Sequence, residues 1–289
     1  MSSRKLSNPL PGGVDDMEMF NKENENVKRA VSGVIIVALI LGGIIAGGSL
    51  WLLITAAVAC ISLWEYYSFF ESKAHMSRGI GLITALLIFY FSYTETLFLF
   101  LGPLFVLTAF AVLLVEVIRR HLTGRSNALW NLGGTLSGII YICLPWAFLF
   151  HLRTFPRGIY FLLTIFLCTW ACDVSAYIIG SKWGKKHLSE EVSPNKTWEG
   201  FFGGLSGSLL GGVIVAFTFA FPPLPFLTIG LICGIAGQIG DLAESLVKRE
   251  AGLKDSGSII PGHGGFLDRF DSILVSGTIT YFLFGVIIG

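Results

Sequence analysis

Apolar residues in this chain gather in runs too long for the helices of a water-soluble core. From Ala30 to Phe70 the sequence is almost wholly apolar, and about 40 residues make two membrane crossings of roughly 20 each, with a break at Gly47-Gly48. Further apolar stretches cover 80–94, 98–118, 128–150, 158–180, 198–220, 226–247 and 268–288. The pattern predicts an all-α, polytopic integral membrane protein with about nine transmembrane helices around a polar cavity that faces the cytoplasm. Residues 1–27 are polar and rich in Ser, Pro, Gly, Asn, Asp and Glu. They predict a mobile tail, and without an apolar core they do not form a secretory signal. Segment 28–155 then supplies about five N-terminal helices, and segment 156–289 about four helices that carry the chemistry.

Composition agrees. Of the 289 residues 53% are hydrophobic and only 13% charged, against about 25% charged in soluble domains. A soluble enzyme is excluded, and a formal charge of +1 gives no general attraction for nucleic acid. Placement of the charges is more telling than their sum. With the N-terminus in the cytoplasm, every Lys and Arg except Arg153 and Arg157 falls on the cytoplasmic side, as the positive-inside rule asks. A helix count one higher or lower would spoil that division. The C-terminus then lies outside, and the expected location is the inner (plasma) membrane. The five cysteines, at 60, 143, 168, 172 and 233, all lie in apolar runs, which suits buried packing thiols.

A charged residue in an apolar run costs about 2.5–3.5 kcal/mol on insertion scales, so each one needs a reason. Asp173 lies deep in the sixth stretch with Tyr177 one turn on. Glu65 and Glu116 lie near cytoplasmic helix ends, where snorkelling or pairing with nearby basic residues accounts for them. In the eighth stretch Gln238, Asp241, Glu244, Ser245 and Lys248 line one stripe of a helix that is otherwise apolar, the pattern of a helix facing a watery cavity. Before the ninth stretch runs Pro261-Gly262-His263-Gly264-Gly265-Phe266-Leu267-Asp268-Arg269-Phe270-Asp271. Its glycines allow backbone N–H groups to meet an anion. Asp268 and Asp271 share a face at the helix start, where N-terminal capping is their bland explanation. Lys248, Arg249 and Lys254 add positive charge beside them. Ser193-Pro194-Asn195-Lys196-Thr197 combines a proline turn with a helix start that favours an anion.

Oxygen donors without thiolates or several imidazoles suit a hard cation, and Mg²⁺ is usually held by one or two carboxylates plus substrate phosphates. The combination points to phosphoryl or nucleotidyl transfer, with basic side chains neutralising charge in the transition state. Acyl hydrolysis lacks a nucleophile elbow. An ion-coupled transporter would use Asp173, Asp241 and Asp268 but leaves the basic loop without a task. A CTP-using lipid kinase or a phospho-sugar transferase is the nearer rival.

The run from Ser245 through Lys248-Arg249, Lys254-Asp255, Gly257, Ile260-Pro261 and His263-Gly264-Gly265-Phe266 to Asp268-Arg269-Phe270-Asp271 resembles the signature of the phosphatidate cytidylyltransferases, the CDP-diacylglycerol synthases. Ser193 to Gly200 resembles a second segment of that family, and Asp173, Tyr177 and Gly180 a third. The resemblance covers roughly residues 165–275. It implies transfer of CMP from CTP to phosphatidate, releasing pyrophosphate, by an all-helical membrane enzyme that is often a homodimer. It implies paired metals on Asp241 and Asp268, with Asp271 beside them and either Mg²⁺ or K⁺ in the second place. The catalytic residues implied are Asp173, Lys248, Arg249, Lys254, Asp255 and His263. Ser193, Asn195, Lys196, Thr197, Ser245, Gly264, Gly265 and Arg269 would contact CTP, phosphatidate or membrane lipid.

Overall fold

The computed structural model describes residues 31–71, 74–253 and 265–288. Its first two helices, α1 (Val31–Ala46) and α2 (Gly48–Phe69), form a hairpin that breaks at the expected glycines. Gly47 and Gly48 have φ of 66° and 52°, a region that side chains with a Cβ avoid. A Cβ on Gly47 would also come within 2.9 Å of the Arg153 guanidinium. That guanidinium sits there because its Nε donates to the Ile44 carbonyl at 2.6 Å, closing the C-terminal end of α1.

After α3 (Arg78–Tyr93) and α4 (Leu97–Thr123) comes a rod, Ala128–Leu152. It consists of α5 (Ala128–Gly138), a π-helical turn (Ile139–Cys143) and α6 (Leu144–Leu152). The most apolar window of this rod is 67% buried, against 17% for α4. The rod therefore forms the centre of the bundle, and α4 stands at the lipid-facing rim. Trp146 is wholly buried in that centre, edge-on to Phe270 at 5.1 Å.

Next come α7 (Gly158–Trp183), a short antiparallel hairpin of β1 (His187–Ser189) and β2 (Ser193–Thr197), and α8 (Trp198–Thr218). Small residues let α7 and α8 approach closely, since a Cβ on Gly204 would lie 2.8 Å from Cys172 Sγ and one on Gly211 3.2 Å from Cys168 Sγ. Both thiols are buried and free, in keeping with a packing role. The second composite rod, Pro223–Ala251, joins α9 (Pro223–Ile232) through a π-helical turn (Cys233–Gly237) to α10 (Gln238–Ala251). A 3₁₀ turn (Leu267–Arg269) leads into α11 (Asp271–Ile288).

The expected all-α membrane architecture is present, with one two-stranded hairpin as its only sheet among the described residues. Of the nine apolar rods expected, six among the described residues are long and apolar enough to cross a membrane. Val31–Ala46, Arg78–Tyr93 and Asp271–Val286 are shorter. A helix of 16 residues such as α3 rises about 24 Å, less than the roughly 30 Å of a hydrocarbon core.

Candidate active site

One end of the bundle carries the ion pairs Lys196–Asp241 and Lys248–Asp268. The C-terminal turns of α2, α7 and α10 meet the starts of α8 and α11 there, and the β hairpin covers them. Local chemistry fixes the hairpin. The Thr197 hydroxyl caps α8 by accepting the Gly200 amide at 3.1 Å. Glu199 in the first turn accepts the Lys185 and Lys186 amides at 3.1 and 3.3 Å. His187 Nδ1 meets the Pro194 carbonyl at 2.7 Å across the hairpin. A Cβ on Gly200 would lie 3.0 Å from the Ala176 carbonyl, so the glycine lets β2 and α8 settle onto α7.

Under the hairpin lies a cavity of about 340 Å³, within the range of small-ligand sites. It is lined by Asp173, Tyr177 and Gly180 of α7, by Ser193, Asn195, Lys196 and Thr197 of β2, and by Gln238 and Asp241 of α10. Three segments that sequence reasoning had picked out separately thus share one space. Lys196 Nζ reaches Asp241 Oδ2 at 2.7 Å, tying the hairpin to α10. Asp173 is in electrostatic reach of Asp241, Lys196 and Arg269. Gln238 has a bracing role, since its amide donates to the Phe201 and Gly234 carbonyls at 3.1 and 2.5 Å.

One and two turns further along α10, Glu244 and Lys248 join a second group. Lys248 Nζ pairs with Asp268 Oδ1 at 2.6 Å and stands 3.6 Å from the buried Glu244. The other oxygen of Asp268 accepts the Gly265 amide at 3.2 Å. Asp271 is buried at the start of α11, close to Glu244, with Oδ1 accepting the Ser272 amide at 2.6 Å. Ser245 lies half-buried on α10. Arg249 points back to the hairpin, donating to the Val192 carbonyl at 3.3 Å. Arg269 is exposed and heads a smaller cavity between α1 and α7. Lys254, Asp255, His263 and Gly264 lie outside the described residues.

Glu65 departs from the snorkelling expectation. It is 2% exposed, and its Oε2 accepts the Leu267 amide at 2.7 Å, next to Asp268 in the same 3₁₀ turn. An acidic residue in a helix as apolar as α2 was the available signal, but sequence cannot show a bond across 202 positions. Glu116 does pair with a nearby base, meeting Arg119 at 2.6 Å, and also accepts the Asn131 amide at 2.7 Å.

Among the described residues no three His, Cys, Asp or Glu side chains converge as a closed metal cage. Asp241 and Asp268 each hold a lysine, and the carboxylates of Asp173 and Asp271 stand near Asp241. That set fits a hard cation whose shell is finished by substrate phosphates, to which the two lysines can turn.

Comparison with known proteins shows the family of the chain. The model of the cytidylyltransferase family matches residues 27–287. A phosphatidate cytidylyltransferase of Synechocystis is 45% identical over 134 residues, covering 46% of this chain and 45% of that protein. One of Staphylococcus aureus is 43% identical over 141 residues, 48% and 54% of the two chains. The chain thus spans about half the length of these curated relatives. A third, of Staphylococcus saprophyticus, is 34% identical over 250 residues, covering 85% of this chain and 94% of the relative.

Proposed function

Because the chain belongs to the cytidylyltransferase family, we propose that it transfers CMP from CTP to phosphatidate, forming CDP-diacylglycerol and pyrophosphate. The observation that carries this reading is the convergence of Ser193, Asn195, Lys196 and Thr197 with Asp173 and Asp241 around one cavity. A phosphate oxygen of phosphatidate attacks the α-phosphorus of CTP, and the bond to the β-phosphate oxygen breaks. The acceptor is already an anion near neutral pH, so no strong general base is required. Lys196 and Lys248 offer ammonium groups to phosphate oxygens, and Lys248, Arg249 and Lys254 receive the departing pyrophosphate. Asp173, Asp255 and His263 keep supporting roles, with His263 a hydrogen-bond donor or loop organiser. Ser245, Gly264 and Gly265 keep the substrate-contact role that the family resemblance implies.

Mg²⁺, when bound, supplies charge neutralisation across the phosphate oxygens, and Asp241, Asp268 and Asp271 would hold it, with a second Mg²⁺ or K⁺ beside it. The site end faces the cytoplasm. Lys182, Lys185, Lys186, Arg119, Arg120 and Arg125 support this orientation, because all lie at helix ends or loops on the same end as the cavity.

The test follows CTP labelled in the cytidine, with phosphatidate and Mg²⁺, in detergent. Expected are label in the lipid phase and an equal release of pyrophosphate. Label that stays in water while phosphate moves to lipid would favour the kinase. Asp241→Asn and Asp268→Asn should each lower turnover by about 100-fold or more, the loss of a stabilising contact in the transition state. Wild-type turnover of both at saturating Mg²⁺ would overturn the metal assignment.

A further inference from the structure

Resting on the reading above, we propose that the cleft between α1 and α7 is the berth of the lipid acceptor. The phosphate would lie at the Arg269 guanidinium and an acyl chain along Ile36, Val37, Ile40, Phe166 and Trp170. These side chains line a cavity of about 130 Å³ with Arg269 at its rim. That volume suits a segment of hydrocarbon chain and excludes a nucleotide.

Three observations lead there. An exposed cation at the head of an apolar cleft complements an amphiphile with an anionic head, and a space of about 130 Å³ is too small for a whole nucleotide. Next, α1 separates the cleft from the bilayer by a single helix. Its outer face carries Val34 and Ile35 at 68% and 57% exposure, whereas Ile36 and Val37 are half-buried and Ile40 is 1% exposed. A chain can therefore slip in sideways along α1 without crossing the protein core. Finally, the cleft and the transfer cavity share α7. Trp170 lines the first and Asp173, one turn on, lines the second, with Arg269 within electrostatic reach of Asp173. An acceptor seated in the cleft presents its phosphate to the cavity that holds Asp241 and Lys196. Val174, one turn on from Trp170 along α7, is 58% exposed.

The experiment uses the full-length protein in nanodiscs and a phosphatidate with a photoactivatable group midway along one acyl chain, without CTP. Adducts are expected on the α1 and α7 peptides containing Val37 or Trp170. Unlabelled phosphatidate should compete them away and phosphatidylcholine should not. Arg269→Gln should cut the labelling about tenfold, the loss of a charged contact, and Arg269→Lys should keep most of it. Adducts spread over the outer rim, or competed equally by phosphatidylcholine, would overturn the proposal and leave Arg269 as an arginine that merely snorkels. In steady state Val37→Trp should raise the KM for long-chain phosphatidate about tenfold and move the KM for CTP less than twofold. Parallel rises in both would also overturn it. Labelling reads lipid seating without turnover. Specific labelling by a protein that transfers no cytidylyl group would retain the berth and reject the activity, whereas transfer with an unlabelled cleft would do the reverse.

Discussion

Removing the carboxylate of Glu65 would strand the Leu267 amide inside the protein, one residue from Asp268. A buried donor left without a partner costs about 1–3 kcal/mol. Glu65→Leu is therefore expected to lower thermal stability in detergent by that amount and to reduce cytidylyl transfer at least about tenfold, because the turn that presents Asp268 loosens. Glu65→Gln retains an oxygen that can accept the amide, so it should recover most of both losses. Equal stability and activity of the Leu variant and the wild type would show that the bond holds nothing in place. At this scale the sequence was informative about which residues are out of character and silent about their partners. Asp173, Asp241 and Lys248 stood out as charges in apolar surroundings, and all three line or flank the site. The pairings Lys196 with Asp241 and Lys248 with Asp268 depend on where separate chain segments come to rest, which no local pattern records.

Among elements, the α7–α8 contact carries the site. Asp173 and Lys196 line one cavity, and glycines on α8 let α7 come close beneath it, so widening that contact should separate them. Gly204→Val would drive side-chain atoms into Cys172. It should lower both stability and turnover, measured by thermal unfolding and by the cytidine-label assay. Gly102→Ala on the rim helix α4, where a Cβ meets nothing within 4 Å, should be neutral or add a few tenths of a kcal/mol through helix propensity. If Gly204→Val behaved like Gly102→Ala, the close approach would have no role. Helix positions were legible because hydrophobic runs and glycine breaks are local signals, as Gly47-Gly48 illustrates. The helix start after Ser193-Pro194-Asn195-Lys196-Thr197 was equally local, but Pro194 lies in β2 and not in a turn, and the helix opens at Trp198. The β1–β2 pairing and the π turns were not legible, since the first is a contact between segments and the second an added residue within a helical turn that leaves hydropathy unchanged.

For the whole molecule, the ends of the bundle differ in charge. Arg125 lies at the end bearing the site, and Thr154 lies at the end where Arg153 closes α1. With the site facing the cytoplasm, Arg125→Cys should react with a membrane-impermeant maleimide only in inside-out vesicles, and Thr154→Cys only in right-side-out ones. The native thiols at 143, 168, 172 and 233 are buried and should stay silent. The reverse labelling would invert the topology. The lysine–aspartate pairs have a consequence for how the protein meets its ligands. Asp241 and Asp268, two of the carboxylates at the site, are each paired with an ammonium group, so an arriving nucleotide must make each lysine change partners. Capture then proceeds by exchange inside the cavity instead of long-range attraction. Raising the salt from 50 to 200 mM, which shortens the screening length from about 14 to about 7 Å, should change the association rate for CTP only slightly. A steep fall would mean that the lysines stand open before the ligand comes.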